Sequence, residues 1–181
     1  MKLPWRKEEA PQVAAIAPER SVLFVCMGTI CRSPTAEAVF RAAAERAGLG
    51  TVLHVDSAGT GDWHIGEPPD KRTITAAQAR GYDLTPLRAR QVEPPDFERF
   101  HWILAMDRAN LRVLTAMRPP EYPGHVGLFL DMAPQLDIRE VPDPYYGGPD
   151  GFEQVIDLIE RGSESLLGHI RRRLRLDTAS A

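Results

Sequence analysis

Cys26 and Arg32 bracket five residues in the stretch VLFVCMGTICRSP, which also holds Gly28, a second cysteine at 31 and Ser33. That spacing lets one loop curl around a tetrahedral oxyanion. Backbone N–H groups would bond three oxygens while the Arg32 guanidinium forks onto two of them. The Cys26 sulfur would sit at the bottom of this cradle, where N–H dipoles, Arg32 and a following helix N-terminus all favour thiolate. The hydroxyl of Ser33 is placed to donate to it. The implied chemistry is in-line attack of sulfur on phosphorus, giving a phosphocysteine that water later hydrolyses. Arg32 and the cradle would stabilise the charge on the equatorial oxygens. An isolated cysteine at a strand end is usually a small buried hydrophobe. The interval to Arg32, followed by Ser-Pro opening a helix, reverses that reading. Met27, Gly28, Thr29, Ile30, Cys31, Arg32 and Ser33 are therefore the expected phosphate-binding residues. A structural metal at Cys26 and Cys31 is disfavoured, because no second pair exists and the five histidines are scattered. Neither a Walker lysine pattern nor G-x-G-x-x-G follows the first apolar run, and no cofactor is expected.

Such a loop needs a strand before it and a helix after it. Val22–Val25 is a short apolar run of the kind buried on both faces of a parallel sheet. From Pro34, Ala36, Val39, Phe40 and Ala43 recur at helical spacing, with Gly48 at the end. The alternation continues: TVLHVDSAG (51–59) as a second strand, PDKRTITAAQARGY as a helix, HWILAM (101–106) as a third strand. Asp107 then caps RANLRVLTAMR, HVGLFL (125–130) is a fourth strand, and a long polar loop leads to an amphipathic helix from Phe152 to about Arg175. This pattern predicts a single α/β domain, a four-stranded parallel sheet flanked by helices on both faces. Ligands bind at the carboxyl ends of such strands. Cys26–Arg32, Ser57–Trp63, Asp107 and the loop carrying Asp143 can therefore meet in one crevice.

With 181 residues the chain is long enough for one well-buried core, and a formal charge of −3 gives no case for nucleic acid or an acidic membrane surface. No apolar stretch reaches the ~20 residues of a membrane span. The first twenty residues carry prolines and charges where a secretory signal would be apolar, and two cysteines suit a reducing compartment, so a cytoplasmic protein is expected. Residues 1–20 read as a flexible extension, 21–176 as the domain and 177–181 as a short tail. The basic run HIRRRLRLD reads as the solvated end of the last helix, complementing its dipole.

Four segments, in order and spacing, resemble the low-molecular-weight protein tyrosine phosphatase family: VLFVCMGTICRSPTAEAVFR, DSAGTGDWHIGEPPD, RARQV…DFERFHWILAMDRANL and PDPYYGGPDGFEQV. The resemblance implies metal-independent hydrolysis of phosphotyrosine. Cys26 is similar to the family's nucleophile, Arg32 to its phosphate-binding arginine and Ser33 to its thiolate-stabilising serine. Asp143 resembles the general acid, a role the poor phenolate leaving group demands. An Asp-Pro step can also be plain turn chemistry. Trp63, Tyr145 and Tyr146 resemble the aromatic walls around the substrate ring, with Ile30 beside them. The implied partner is a phosphotyrosine protein, a tyrosine kinase among the candidates. Cys31, in the same loop, could capture an oxidised Cys26 as a disulfide.

Three rivals share the framework. Thioredoxin-coupled arsenate reductases need further cysteines downstream, and none follows Cys31. Protein arginine phosphatases typically place a threonine where Ile30 stands. A non-catalytic phosphotyrosine-binding module would have lost Cys26 or Asp143. The family pattern is broken in one place, where Thr29 replaces an asparagine and Leu87 its histidine partner. If the loop keeps its path, Thr29 takes a positive φ at a strain of roughly 1–3 kcal/mol. If the backbone relaxes, one cradle N–H turns away.

Overall fold

A computed structural model describes residues 20–145 and 147–179 of the protein. The four apolar runs form one parallel sheet: β1 (Ser21–Cys26), β2 (His54–Gly59), β3 (Trp102–Ala105) and β4 (His125–Leu128), in the order β2-β1-β3-β4. Every residue of central β1 is buried. The pleat splits them by parity. Val22, Phe24 and Cys26 join Trp102, Leu104 and Met106 in a core beneath α1 (Arg32–Arg46) and α5 (Pro149–Ala179). Leu23 and Val25 join Ile103 and Ala105 in a second core, against Phe97 of α3 (Asp96–Arg99) and Leu114 of α4 (Arg108–Met117). Helices thus cover both faces, as the near-continuous apolar character of β1 requires. The remaining helix, α2 (Lys71–Ala79), packs Ala77 against Ile156 of α5.

Caps set most boundaries. Asp107 accepts the Asn110 N–H at 2.8 Å and starts α4, as expected. Asp70 accepts from the Arg72 N–H at 2.8 Å and starts α2. Gly48, at φ +74°, follows the last turn of α1. Several ends differ from the sequence reading. β2 starts at His54 rather than 51, because residues 49–53 close a turn in which the Leu53 N–H reaches the Leu49 carbonyl. β4 stops at Leu128, where Phe129–Met132 wind into a 3₁₀ turn that carries Phe129 and Leu130 into the core. The four-residue α3 lies in PPDFERF, too short to show a helical period. α1 begins at Arg32, two residues before Pro34, and α5 runs from Pro149 through Ala179, beyond the expected end of the domain. Residues 1–19, most of the expected extension, lie outside the described residues. Among the described residues no helix is long and apolar enough to cross a membrane.

The carboxyl ends of β1, β2 and β3 share one edge of the sheet, so Cys26, Gly59 and Asp107 converge there.

Candidate active site

The loop from Cys26 to Arg32 is anchored through its carbonyls. The Cys26 and Met27 oxygens accept the Thr60 and Gly61 N–H groups, each at 2.9 Å, and the Ile30 oxygen accepts the Asp70 N–H at 2.8 Å. The Cys31 oxygen takes the Thr35 hydroxyl at 2.7 Å. In a planar trans peptide the N–H points opposite to the carbonyl. Tying these oxygens outward therefore turns the N–H groups of Met27, Gly28, Cys31 and Arg32 toward the concave side. A cavity of about 510 Å³ opens there. Cys26, Met27, Gly28, Ile30, Cys31 and Arg32 of the loop line it together with Trp63, His64, Asp143 and Tyr145. Thr29 and Ser33 stand behind the loop, both buried.

Cys26 Sγ receives the Thr29 N–H at 3.3 Å and lies 3.1 Å from Ser33 Oγ. The Ser33 hydroxyl has a second acceptor, the Ala58 carbonyl at 3.3 Å. Its single proton can serve the sulfur when that is thiolate and the carbonyl when it is not. Arg32 is 3 % exposed and fixed from two sides: Nη1 donates to Asp107 Oδ2 at 2.6 Å and to the Val141 carbonyl at 3.0 Å, and Nη2 faces Asp143 Oδ2 at 3.5 Å. Burial works against its charge, but Cys26, Asp107 and Asp143 together outweigh burial and hold it above its ordinary value. The guanidinium is a fixed cation. Asp143 also makes the turn that its sequence allowed, Oδ1 accepting the Tyr145 N–H at 3.0 Å. Turn and site are compatible because the two oxygens are used separately. The Cys31 thiol is pushed by burial from about 9 to about 12, the Thr73 hydroxyl offsetting only part of this.

Thr29 keeps the strained path, with φ at +58°, the one positive-φ non-glycine residue among those described. Its hydroxyl donates to the Arg90 carbonyl at 3.1 Å. That carbonyl also takes the Gly59 N–H at 2.8 Å, while the Arg90 side chain pairs with Asp56 at 3.0 Å and the fully buried Asp96 at 2.9 Å. Gly59 has to be glycine here: a Cβ would lie 2.5 Å from Thr29 Oγ1 and 2.7 Å from the Met27 carbonyl. Leu87 instead packs against the cluster of Ala77, Leu84 and Ile156. Arg90, rather than Leu87, is the partner of Thr29.

The walls have their own supports. The Trp63 indole, 68 % exposed, lies over Gly61, where any side chain would collide with it. Tyr145 has the Arg72 guanidinium 5.3 Å from its ring centroid, and the same guanidinium is 4.9 Å from that of Phe152. Arg72 is doubly bonded to Asp70, at 3.0 Å for each pair, and Asp70 anchors Ile30. Tyr146 lies outside the described residues.

Sequence reasoning missed two participants and the role of a third. Asp107 was expected at the crevice and as a cap, but its hold on Arg32 is a contact across 75 positions. His64, paired with Glu67 at 2.7 Å, could have been found from its place beside Trp63 in a glycine-rich loop. Arg72 carried no local signal beyond following its Asp70 cap.

A sequence model described as low molecular weight phosphotyrosine protein phosphatase matches residues 21–176. The chain belongs to that family. The low molecular weight phosphotyrosine protein phosphatase of Schizosaccharomyces pombe is 47 % identical over 150 residues, 80 % of this chain and 96 % of that one. The crystal structure of YfkJ from Bacillus subtilis has a TM-score of 0.79 and 43 % identity, covering 84 % of this chain and 95 % of its own. A Drosophila arginine phosphatase has the same phosphatase fold, with a TM-score of 0.76 and 32 % identity over 82 % of this chain and 96 % of its own.

Proposed function

We propose that this phosphatase hydrolyses phosphotyrosine in proteins through a phosphocysteine, without metal. The observation that carries the reading is the meeting of Cys26 Sγ, Arg32 and Asp143 in one cavity walled by Trp63 and Tyr145. The thiolate of Cys26 attacks phosphorus as the bond to the tyrosine oxygen breaks opposite it. Asp143, which lines the cavity, gives that oxygen its proton. The loop N–H groups and Arg32 hold the equatorial oxygens, and Asp107 keeps Arg32 aimed throughout. In the second half-reaction the Asp143 carboxylate takes a proton from water. The water oxygen bonds to phosphorus, the S–P bond breaks, and thiolate and inorganic phosphate return. Ser33 donates a hydrogen bond to the sulfur whenever sulfur leaves as thiolate.

The partner is a phosphotyrosine protein, a tyrosine kinase among the candidates. The likeness to an arginine phosphatase gives a second reading its hearing. Ile30, apolar and lining the cavity, favours an aryl ring over a phosphoguanidinium. Initial rates on phosphotyrosine, phosphoserine and phosphoarginine peptides, with a chelator present, test both. Phosphotyrosine turnover should dominate. Dominant phosphoarginine turnover would move the assignment to the second reading, and dominant phosphoserine turnover or a divalent-metal requirement would overturn both.

A further inference from the structure

The loop that carries Asp143 leaves the body of the protein through three consecutive anchored residues. Arg139 donates from Nη1 to the Leu130 carbonyl at 2.9 Å and from Nη2 to the carbonyls of Pro134 and Leu136, which fastens the stem to the 3₁₀ turn after β4 and the chain that follows it. Val141, fully buried, gives its N–H to the Met106 carbonyl at 2.8 Å, and its own carbonyl accepts from Arg32 Nη1 at 3.0 Å. Between them stands Glu140. Its Oε1 accepts the backbone N–H of Arg108 at 2.8 Å, and its Oε2 lies 3.2 Å from Arg108 Nη1. No step of the phosphatase chemistry uses this carboxylate directly.

Arg108 is the first residue of α4, and the N–H of a first residue has no partner inside its own helix. The Asp107 side chain caps the Asn110 N–H and leaves that of Arg108 to Glu140. The N-terminus of α4 is therefore held by two carboxylates, its own Asp107 and one from the acid loop 32 positions away, and its dipole favours both. Each carboxylate serves a different part of the site. Asp107 gives its other oxygen to Arg32 at 2.6 Å. Glu140 fixes the chain three residues before Asp143. The backbone between them is stiff, because Val141 is bonded at both its N–H and its carbonyl and Pro142 has a locked φ. A displacement at Glu140 therefore reaches Asp143 rather than being absorbed on the way. Of the two contacts, the ion pair is the weaker, since the Arg108 and Glu140 side chains are 57 % and 42 % exposed and solvent screens them. The bond to the backbone N–H, which no rotamer change of Arg108 can move, is the one that sets position.

We infer that Glu140 is a positioning residue for the general acid: by capping α4 it sets where the Asp143 carboxyl stands relative to the leaving oxygen. This rests on the reading of Asp143 as that acid. A group that acts through proton donation matters in proportion to how much the leaving group needs the proton. Loss of the cap should slow transfer from phosphotyrosine, whose phenolate leaves poorly, and barely touch p-nitrophenyl phosphate. A cap that only stabilised the fold would change both substrates alike or neither.

The test compares kcat/KM, which reports transfer of the phosphoryl group to sulfur, on a phosphotyrosine peptide and on p-nitrophenyl phosphate. The variants are Glu140→Ala, Glu140→Gln and Arg108→Pro, each alone and combined with Asp143→Ala. Glu140→Ala should lower the peptide value about three- to ten-fold and the p-nitrophenyl phosphate value by less than about two-fold. Inhibition by inorganic phosphate should be kept, because Asp107 still holds Arg32. Glu140→Gln retains an oxygen for the same N–H and should restore most of the peptide rate. Arg108→Pro removes the N–H from the other side, at a first helical position where proline is accepted after the extended Asp107 (φ −145°, ψ 174°). It should reproduce Glu140→Ala, and it carries the test if that variant folds poorly. In the Asp143→Ala background none of the three should slow the peptide further, because the group they position is gone. Equal slowing of both substrates, the same factor lost with and without Asp143, or an unchanged peptide rate in Glu140→Ala and Arg108→Pro would overturn the inference. Asp143→Ala alone reports on the acid itself: equal slowing of the two substrates there ends the acid reading, whereas selective slowing there with unaltered Glu140→Ala rates ends this inference only.

Discussion

Thr29 allows the torsional and hydrogen-bond terms of a phosphate-binding loop to be separated. A β-branched residue at φ +58° is strained by about 1–2 kcal/mol. Its hydroxyl bond to the Arg90 carbonyl returns part of this. Thr29→Val keeps the branch and the strain and deletes only the hydroxyl. The Arg90 carbonyl is not orphaned, because the Gly59 N–H still reaches it at 2.8 Å. The cost should therefore stay at the low end for a lost hydrogen bond, about 0.5–1 kcal/mol. Thr29→Asn tolerates the left-handed region and still offers an amide donor, so it should gain about 1 kcal/mol. Thr29→Gly removes the strain but also the hydroxyl, and it loosens the unfolded chain by about 0.5–1 kcal/mol, so the terms nearly cancel. The predicted order of stability is Asn above Thr and Gly, with Val lowest. Urea unfolding with an unchanged slope measures it. Vanadate inhibition checks the loop shape, and Val should weaken it by no more than about five-fold. A Val variant as stable as the parent, together with an Asn variant that gains nothing, would refute both terms at once.

Cys26→Ser should abolish turnover while phosphate and vanadate still bind, because the loop N–H groups and Arg32 remain; loss of oxyanion binding in step with turnover would deny the cradle its role. Asp143→Ala should slow phosphotyrosine by about 10²–10⁴ and p-nitrophenyl phosphate far less, since nitrophenolate leaves without a proton. Equal slowing of the two would remove Asp143 from the acid role. Peroxide should convert Cys26 to a sulfenic acid, and Cys31 can displace its hydroxyl as water to give a disulfide. With the Cys31 thiol near 12, its thiolate at neutral pH is about a thousand-fold scarcer than that of an ordinary cysteine near 9, partly offset by its greater nucleophilicity. Disulfide formation, followed by mass spectrometry, should therefore accelerate steeply from pH 7 to 9, and a flat profile would exclude capture by the buried thiol. Arg72→Met should raise KM for phosphotyrosine peptides about three- to ten-fold through a loosened Tyr145 wall, leaving inhibition by inorganic phosphate unchanged; weakened phosphate inhibition would place Arg72 in the cradle instead.

What could be read from sequence divides by the distance over which a contact acts. β1, the loop and α1 are specified by neighbouring residues: an apolar run, a five-residue interval, then Ser-Pro and a helical period. Asp107 as a cap is equally local. The hand-off from β4 to a 3₁₀ turn was not legible, because the one breaker, Gly127, lies inside the strand rather than at its end, and Phe129 and Leu130 suit a buried strand as well as a buried turn. The Thr29–Arg90 bond spans 61 positions and the Arg32–Asp107 bond 75, and no local pattern predicts either. The acceptor of the Thr29 hydroxyl was hidden for this reason: it is the backbone carbonyl of Arg90, which any residue there would offer.

The two carboxylates at Arg32 are unequal, and the inequality divides their work. Asp107 Oδ2 sits 2.6 Å from Nη1, and its other oxygen is committed to capping α4. Moving it would cost a charge-assisted bond and a helix cap together, of order 1–2 kcal/mol each. Asp143 Oδ2 is 3.5 Å from Nη2, at the limit of a hydrogen bond, and its side chain is 30 % exposed. Such a contact is weak and partly screened. A phosphoryl dianion reaching Arg32 therefore displaces Asp143 rather than Asp107. On the proposed mechanism, Asp143 freed from this contact can turn its carboxyl to the leaving oxygen, while Asp107, held by bond and cap together, keeps Arg32 in place and is the fixed point against which Asp143 moves.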